Sequence, residues 1–235
     1  MAHSAPLVLV TRPKAASERF ARALLARRKA EVLIAPVIET KPLGPRVDIP
    51  KDASVVFTSA QAVLRARSRN RQTAYCVGAA TAKAAERAGF HAISAEGTSD
   101  NLISMLLQDR PAGRIFYLRG EEAVGDVARH LLDAGLAVEE KIVYRQVDKP
   151  ISPGTMAAIE NASGVLAPVF SARSAMRLSE EIPADRPITL IAISPSVATA
   201  WPRNADNVTA AKSPTLVSMV AAVVKALDSD SQCSP

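Results

Sequence analysis

Polar side chains recur where a run of apolar residues gives way to a helical pattern. They are Thr11-Arg12, Thr58-Ser59, Gly78 with Thr81 three residues on, Arg119-Gly120, Ser171, and Ser194 with Ser196. These residue types suit the capture of anions. The first turn of a helix leaves backbone N–H groups without partners and carries a partial positive charge. A carboxylate or phosphate is readily held there. In open parallel sheets, ligands gather beyond the carboxyl ends of the strands. Ser and Thr also serve as plain N-caps worth about 1 kcal/mol, and capping alone accounts for any one of them. Neither a cap nor a tight turn asks for a guanidinium, which sets Arg12 and Arg119 apart.

Other chemistries lack their residues. The chain contains no GxxxxGK[ST] phosphate loop, no GxGxxG dinucleotide turn and no GxSxG nucleophile elbow. His3, His91 and His130 are far apart in sequence, and no His, Cys and carboxylate group has metal-ligand spacing. Neither a metal nor a cofactor is expected. The net charge of +6 suits a polyanionic partner, but the surplus is scattered. Its densest cluster, Arg65-Ala-Arg67-Ser-Arg69-Asn-Arg71, has no interleaved aromatic residue on which bases would stack. It reads as a solvated helix end, and nucleic acid is not expected as a partner.

The elements that must position the strand-end residues form a repeat. Leu7-Val-Leu-Val10 reads as a strand, and Thr11-Arg12-Pro13 as a turn. A helix follows with Ala16, Phe20, Ala23 and Leu24 on one face, then a strand at Val32-Leu-Ile34. The pattern returns as the strand Ile115-Phe-Tyr-Leu118, the turn Arg119-Gly120, a helix face of Val124, Val127, Leu131 and Leu132, and a strand from Val138 to Tyr144. Between these, Val55-Val-Phe-Thr-Ser-Ala60 matches Pro168-Val-Phe-Ser-Ala172, and Cys76-Val-Gly-Ala-Ala-Thr-Ala82 matches Ala192-Ile-Ser-Pro-Ser-Val-Ala198. Ser99-Asp-Asn-Leu102 likewise matches Ser213-Pro-Thr-Leu216. The order is A–B–A–B.

Prolines mark where the copies join. Pro36, Pro42, Pro45 and Pro50 lie in the first A–B junction, and Pro150 and Pro153 in the second. Proline favours extended connectors, so the chain is expected to leave one domain, build the other entirely, and return. Domain one is then 1–37 with 147–235, domain two is 48–143, and 38–47 and 144–146 are connectors. The fold class is α/β, with two similar discontinuous domains. Each is a parallel sheet flanked by helices, and ligand is expected in the cleft between the copies. The apolar run Leu216–Val224 is too short for a membrane span of about 20 residues. The opening Met-Ala-His-Ser-Ala-Pro lacks a signal peptide's basic leader and apolar stretch. Cys76 and Cys233 make no disulfide framework, and the polar tail Asp228–Pro235 reads as frayed. A cytoplasmic protein is expected.

The chain resembles the uroporphyrinogen-III synthase family along almost all its length. The matching segments are Val8-Leu-Val-Thr-Arg-Pro13, Pro36-Val37, Phe57-Thr-Ser59, Val77-Gly-Ala-Ala-Thr-Ala82, Leu118-Arg-Gly120, Val143-Tyr-Arg145, Phe170-Ser171 and Ala192-Ile-Ser-Pro195. The resemblance implies two α/β domains joined by a two-stranded linker, a monomer, and a cofactor-free reaction on hydroxymethylbilane, a linear tetrapyrrole with eight carboxylates. Loss of water leaves a stabilised cation. The terminal pyrrole attacks through its substituted carbon, and a spiro intermediate rearranges to give uroporphyrinogen III.

By the same resemblance Tyr144 falls on the family's linker-side tyrosine, a catalytic candidate that would help the hydroxyl leave. Packing within the linker is the other role open to it. Thr81 falls on the threonine of a Val-Gly-x-x-Thr motif and would contact a carboxylate. Arg12, Thr58, Ser59, Gly78, Arg119, Gly120, Ser171, Ser194 and Ser196 are the other substrate-binding candidates. Some positions depart from the pattern. Gln61 stands where Asn is common, Ser194 replaces a glycine, Val197 replaces a hydroxyl residue, and Arg28 replaces a helix-end glycine. Two rival readings stand beside it: a non-catalytic two-domain binding protein for an anionic ligand, which the same rim residues would serve, and a nucleic-acid module using the basic surplus.

Overall fold

The computed structural model describes residues 6–122, 125–203 and 207–232. Short runs of Val, Leu and Ile form strands, and alternating Ala and Leu patterns form helices. The first stretch holds β1 (Leu7–Val10), α1 (Lys14–Leu25), β2 (Val32–Ile34) and β3 (Ile38–Pro42). Next come β4 (Val47–Asp48), β5 (Ser54–Phe57), α2 (Ala60–Val63), β6 (Ala66–Arg67), β7 (Thr73–Cys76), α3 (Ala79–Arg87), β8 (His91–Ser94) and α4 (Ser99–Asp109). They are followed by β9 (Ile115–Gly120), α5 (Val127–Asp133) and β10 (Val138–Asp148). The last stretch holds α6 (Pro153–Asn161), β11 (Val165–Val169), α7 (Ala172–Glu181), β12 (Thr189–Ala192), α8 (Pro195–Thr199), β13 (Val208–Ala210) and α9 (Leu216–Gln232).

The chain divides into two compact units, Met1–Glu39 with Asp148–Pro235, and Thr40–Val147. The first holds a five-stranded sheet in the order β13-β12-β11-β1-β2, parallel throughout. Side chains alternate across a strand, so each strand feeds two cores. Leu7, Leu9, Val169 and Ala192 pack with Ala175, Leu178 and Trp201 on one face. Val8, Val10, Leu166 and Ile191 pack with Phe20, Leu24, Met219 and Val223 on the other.

The second unit holds the order β3-β10-β9-β5-β7-β8, parallel from β10 to β8. Its faces repeat the arrangement. Val55, Phe57, Cys76, Phe116 and Leu118 meet Val63 and Ala85 on one side. Val56, Tyr75, Ile115 and Tyr117 meet Leu102, Leu106, Val127 and Leu131 on the other.

Several local expectations change. Residues 144–146 belong to β10, which keeps pairing past the sheet. Lys149 N–H donates to the Val37 carbonyl and Leu43 N–H to the Val143 carbonyl, each at 2.9 Å. The arginine cluster is not a helix end, because α2 stops at Val63. Arg65 donates to the Gly44 carbonyl, and Arg69 pairs with Asp48. Leu132 is 52% exposed, and the buried face of α5 is Val127, Ala128 and Leu131. Val124 and Cys233 lie outside the described residues. The tail is helical to Gln232.

Candidate functional site: two strand-end crevices

Counted in chain order, the first unit's strands lie second, first, third, fourth, fifth. The second unit repeats this as β10-β9-β5-β7-β8 when counting starts at β9. In such sheets the connections diverge between the first and third strands, leaving a crevice beyond their carboxyl ends. Those strands are β1 and β11 in one unit and β9 and β5 in the other. Arg12 and Ser171 therefore belong to one crevice, and Arg119, Gly120, Thr58 and Ser59 to the other.

In the first crevice the Arg12 guanidinium lies 3.9 Å above the centroid of Phe170. Phe170 is braced edge-on by Phe20 at 5.5 Å. Among the described residues no carboxylate pairs with Arg12, and burial followed by the nearby charge of Arg19 lowers its pKa. A desolvated cation on an aromatic face still has its hydrogen-bond donors to offer. The neighbouring Thr11 hydroxyl is buried without a partner among the described residues. Pro13 stands at the N-cap of α1 and supplies no side-chain cap, and the first turn carries no acidic residue. Ser171 caps α7, accepting from Ser174 N–H at 3.2 Å. Ser194 caps α8 and lies 2.9 Å from the Ser196 hydroxyl.

In the second crevice Ser59 caps α2, accepting from Gln61 N–H at 3.2 Å. Arg119 is engaged inside the protein. Its Nε donates to Glu140 Oε1 at 2.5 Å, and its Nη1 donates to the carbonyls of Gly120 and Glu121 at 2.8 and 3.0 Å. The bond to Glu140 raises its pKa. Tyr144 is buried and pairs with Gly120 across a bulge in β10 between Ile142 and Tyr144. Among the described residues the buried Tyr117 hydroxyl has no hydrogen-bond partner. Burial raises its pKa, while the Thr58 hydroxyl, close but outside bonding geometry, opposes the rise. Gly78 caps α3 with no side chain, and a Cβ there would meet nothing within 4 Å. Thr81 is buried in the first turn of α3.

The structure thus joins Arg12 to Phe170, and Arg119 and Gly120 to Tyr144. Gly78 and Ser194 sit one strand further along their sheets, after β7 and β12. Glu140 and the Tyr117 hydroxyl were not singled out by sequence reasoning. Phe170 was, but only as part of a motif. The signal for Phe170 was its place immediately before Ser171 at a strand end. Glu140 had none, because only the strand register brings it to Arg119.

A sequence profile described as Uroporphyrinogen-III synthase HemD matches residues 18–221. A search of curated protein sequences gives no match. Among solved structures, uroporphyrinogen-III synthetase from Helicobacter pylori 26695 superposes with a TM-score of 0.64 at 16% identity, covering 94% of this chain and 99% of that one. A mutant uroporphyrinogen III synthase from Thermus thermophilus gives a TM-score of 0.49 at 18% identity, covering 96% of this chain and 100% of that one. The first likeness shows a shared fold, and the profile extends over most of the sequence. The chain belongs to the uroporphyrinogen-III synthase family, whose members are hydro-lyases of heme biosynthesis.

Proposed function

We propose that the protein closes hydroxymethylbilane, with loss of water and inversion of the terminal pyrrole, to uroporphyrinogen III. Beyond family membership, the observation that carries this reading is the Arg12 guanidinium, without a carboxylate partner among the described residues, held over Phe170 just past the carboxyl end of β1. A polycarboxylate is the ligand class that such a cation suits. Arg12, Ser171, Ser194 and Ser196 on the first unit, with Thr58, Ser59, Gly78 and Thr81 on the second, take substrate carboxylates through side chains and free helix N–H groups. Tyr144 donates its phenolic proton as the hydroxyl leaves as water. The pyrrole then attacks the cation, the spiro intermediate rearranges, and a ring-carbon proton is lost to restore aromaticity. Holding the chain curled supplies most of the selectivity, since positioning alone offers several kcal/mol of barrier.

Among the described residues no three His, Cys, Asp or Glu side chains converge as metal ligands, and no helix is long and apolar enough to cross a membrane. The family reading goes with a cytosolic monomer acting on a small-molecule tetrapyrrole, without a nucleic-acid partner. Hydroxymethylbilane also closes spontaneously, without ring inversion, to the type I isomer. The test is therefore to incubate substrate with purified protein and a chelator, oxidise to porphyrins and separate isomers. Mainly type III product is expected. Type I alone, at the spontaneous rate, would leave a non-catalytic binding protein.

A further inference from the structure

Gly120 does not adopt the left-handed backbone that favours glycine, so conformation is not what excludes a side chain there. Space is. A Cβ on Gly120 would fall 2.7 Å from both Cε2 and Cζ of Tyr144 and 2.9 Å from its hydroxyl oxygen. The reactive end of the phenol therefore rests on the bare Cα of Gly120. The backbone at this point is tied as well, since Glu121 N–H donates to the Tyr144 carbonyl at 2.9 Å. Arg119 holds both carbonyls of that short segment, Gly120 and Glu121, and is anchored by Glu140. Glu140 lies on β10, four residues before Tyr144 and across the bulge. The contacts close a ring: Glu140 to Arg119, Arg119 to the Gly120–Glu121 segment, and that segment to Tyr144.

We infer that Arg119 and Gly120 are positioning residues for the Tyr144 phenol and not contacts for substrate carboxylates. This rests on the reading of Tyr144 as proton donor. An arginine with its Nε on a carboxylate and one amino group on two carbonyls has spent the donors that a bidentate carboxylate contact would use. Misplacing a reacting group by about 1 Å costs on the order of a hundredfold in rate, and a new Cβ at 2.7 Å forces a shift of that order.

The experiment uses the full chain labelled with 3-fluorotyrosine. Its three tyrosines give three fluorine resonances, assigned by single Tyr→Phe substitutions. In Gly120→Ala and in Arg119→Gln the Tyr144 resonance should move while that of Tyr75 stays. Turnover should fall by about the factor lost in Tyr144→Phe, with KM changed less than twofold. Gly120→Ala combined with Tyr144→Phe should lose nothing further.

An unmoved Tyr144 resonance in the folded variants would overturn the inference. So would a raised KM with intact kcat in Arg119→Gln, which would return Arg119 to substrate binding. Full turnover in Tyr144→Phe would instead remove the proton-donor reading, and the resonances would still decide what places the ring. If Gly120→Ala does not fold, Arg119→Gln carries the same readouts.

Discussion

Arg12 lies just past β1 and Arg119 near the end of β9, corresponding strands of two sheets that share a five-strand order, yet among the described residues one guanidinium lies on Phe170 without a carboxylate and the other is bound to Glu140. Strand register explains the difference. Two residues before Arg119 stands Tyr117, whose partner on the adjacent strand is Glu140. Two residues before Arg12 stands Val10, whose partner is Ile34. An apolar residue stands beside Arg12 where a carboxylate stands beside Arg119, and that carboxylate ties Arg119 to the scaffold. On the proposed roles, the same repeat serves binding in one unit and positioning in the other.

The largest contrast concerns autonomy. The second unit is one continuous segment, whereas the first needs two. We propose that residues 40–147 expressed alone will melt cooperatively, whereas residues 1–107 will not, because β1 and β2 would lack β11. Cooperative melting of 1–107 would break the assignment.

Arg12→Leu comes next. It removes a cation and should raise KM about thirtyfold, as expected for a charge-assisted contact of about 2 kcal/mol, with kcat within twofold. Steady-state kinetics decide, and an unchanged KM would leave Arg12 a mere partner of Phe170. Ile34→Glu transplants the second unit's carboxylate and should raise KM by roughly tenfold through pairing with Arg12. Loss of that effect in an Arg12→Leu background would show that the glutamate acts through the arginine.

A smaller effect is expected from Glu140→Gln. The pair is partly exposed, and such pairs contribute about 1 kcal/mol or less, so Tm should fall by no more than about 3 °C. Differential scanning calorimetry reads it. A fall larger than that of Arg119→Gln would mean that Glu140 supports something besides the arginine.

Much of this was legible in the chain. Alternating Val and Leu runs marked the strands, and the offset copies of Phe57-Thr-Ser59 and Phe170-Ser171 exposed the repeat. Ser59, Gly78, Ser171 and Ser194, read as helix starts, are caps of α2, α3, α7 and α8, whereas Gly120 ends β9 and Ser196 lies inside α8. Arg119 was less legible, because its binding to Glu140 depends on pairing between strands that no local spacing encodes. Gly120 looked like turn chemistry, yet its reason lies in a ring 24 residues away. Likewise the arginine run at 65–71 carries no helical register, since β6 pairs with β4 and draws it into a two-stranded ladder.

A comparably small effect at neutral pH is expected at Cys76, which ends β7 where the other unit has Ala192 at the end of β12. Burial, with a lesser contribution from Glu86, pushes this thiol up to about 12. An unfolded thiol titrates near ~8.5. Below that pH both states hold the proton, and the stability is present in full. Above it only the unfolded chain releases the proton, so stability falls by about 1.4 kcal/mol per pH unit until the folded thiol titrates. Cys76→Ala, which makes the two units alike here, should cost about 1 kcal/mol at pH 7 for one lost buried atom and remove this slope. Urea unfolding at pH 7 and pH 10, with both proteins carrying Cys233→Ser, separates the two terms. The alanine variant should lose less stability between those pH values and overtake the parent at the higher one. Equal losses would mean that the folded protein lets the thiol ionise, and that burial at the end of β7 does not hold it protonated.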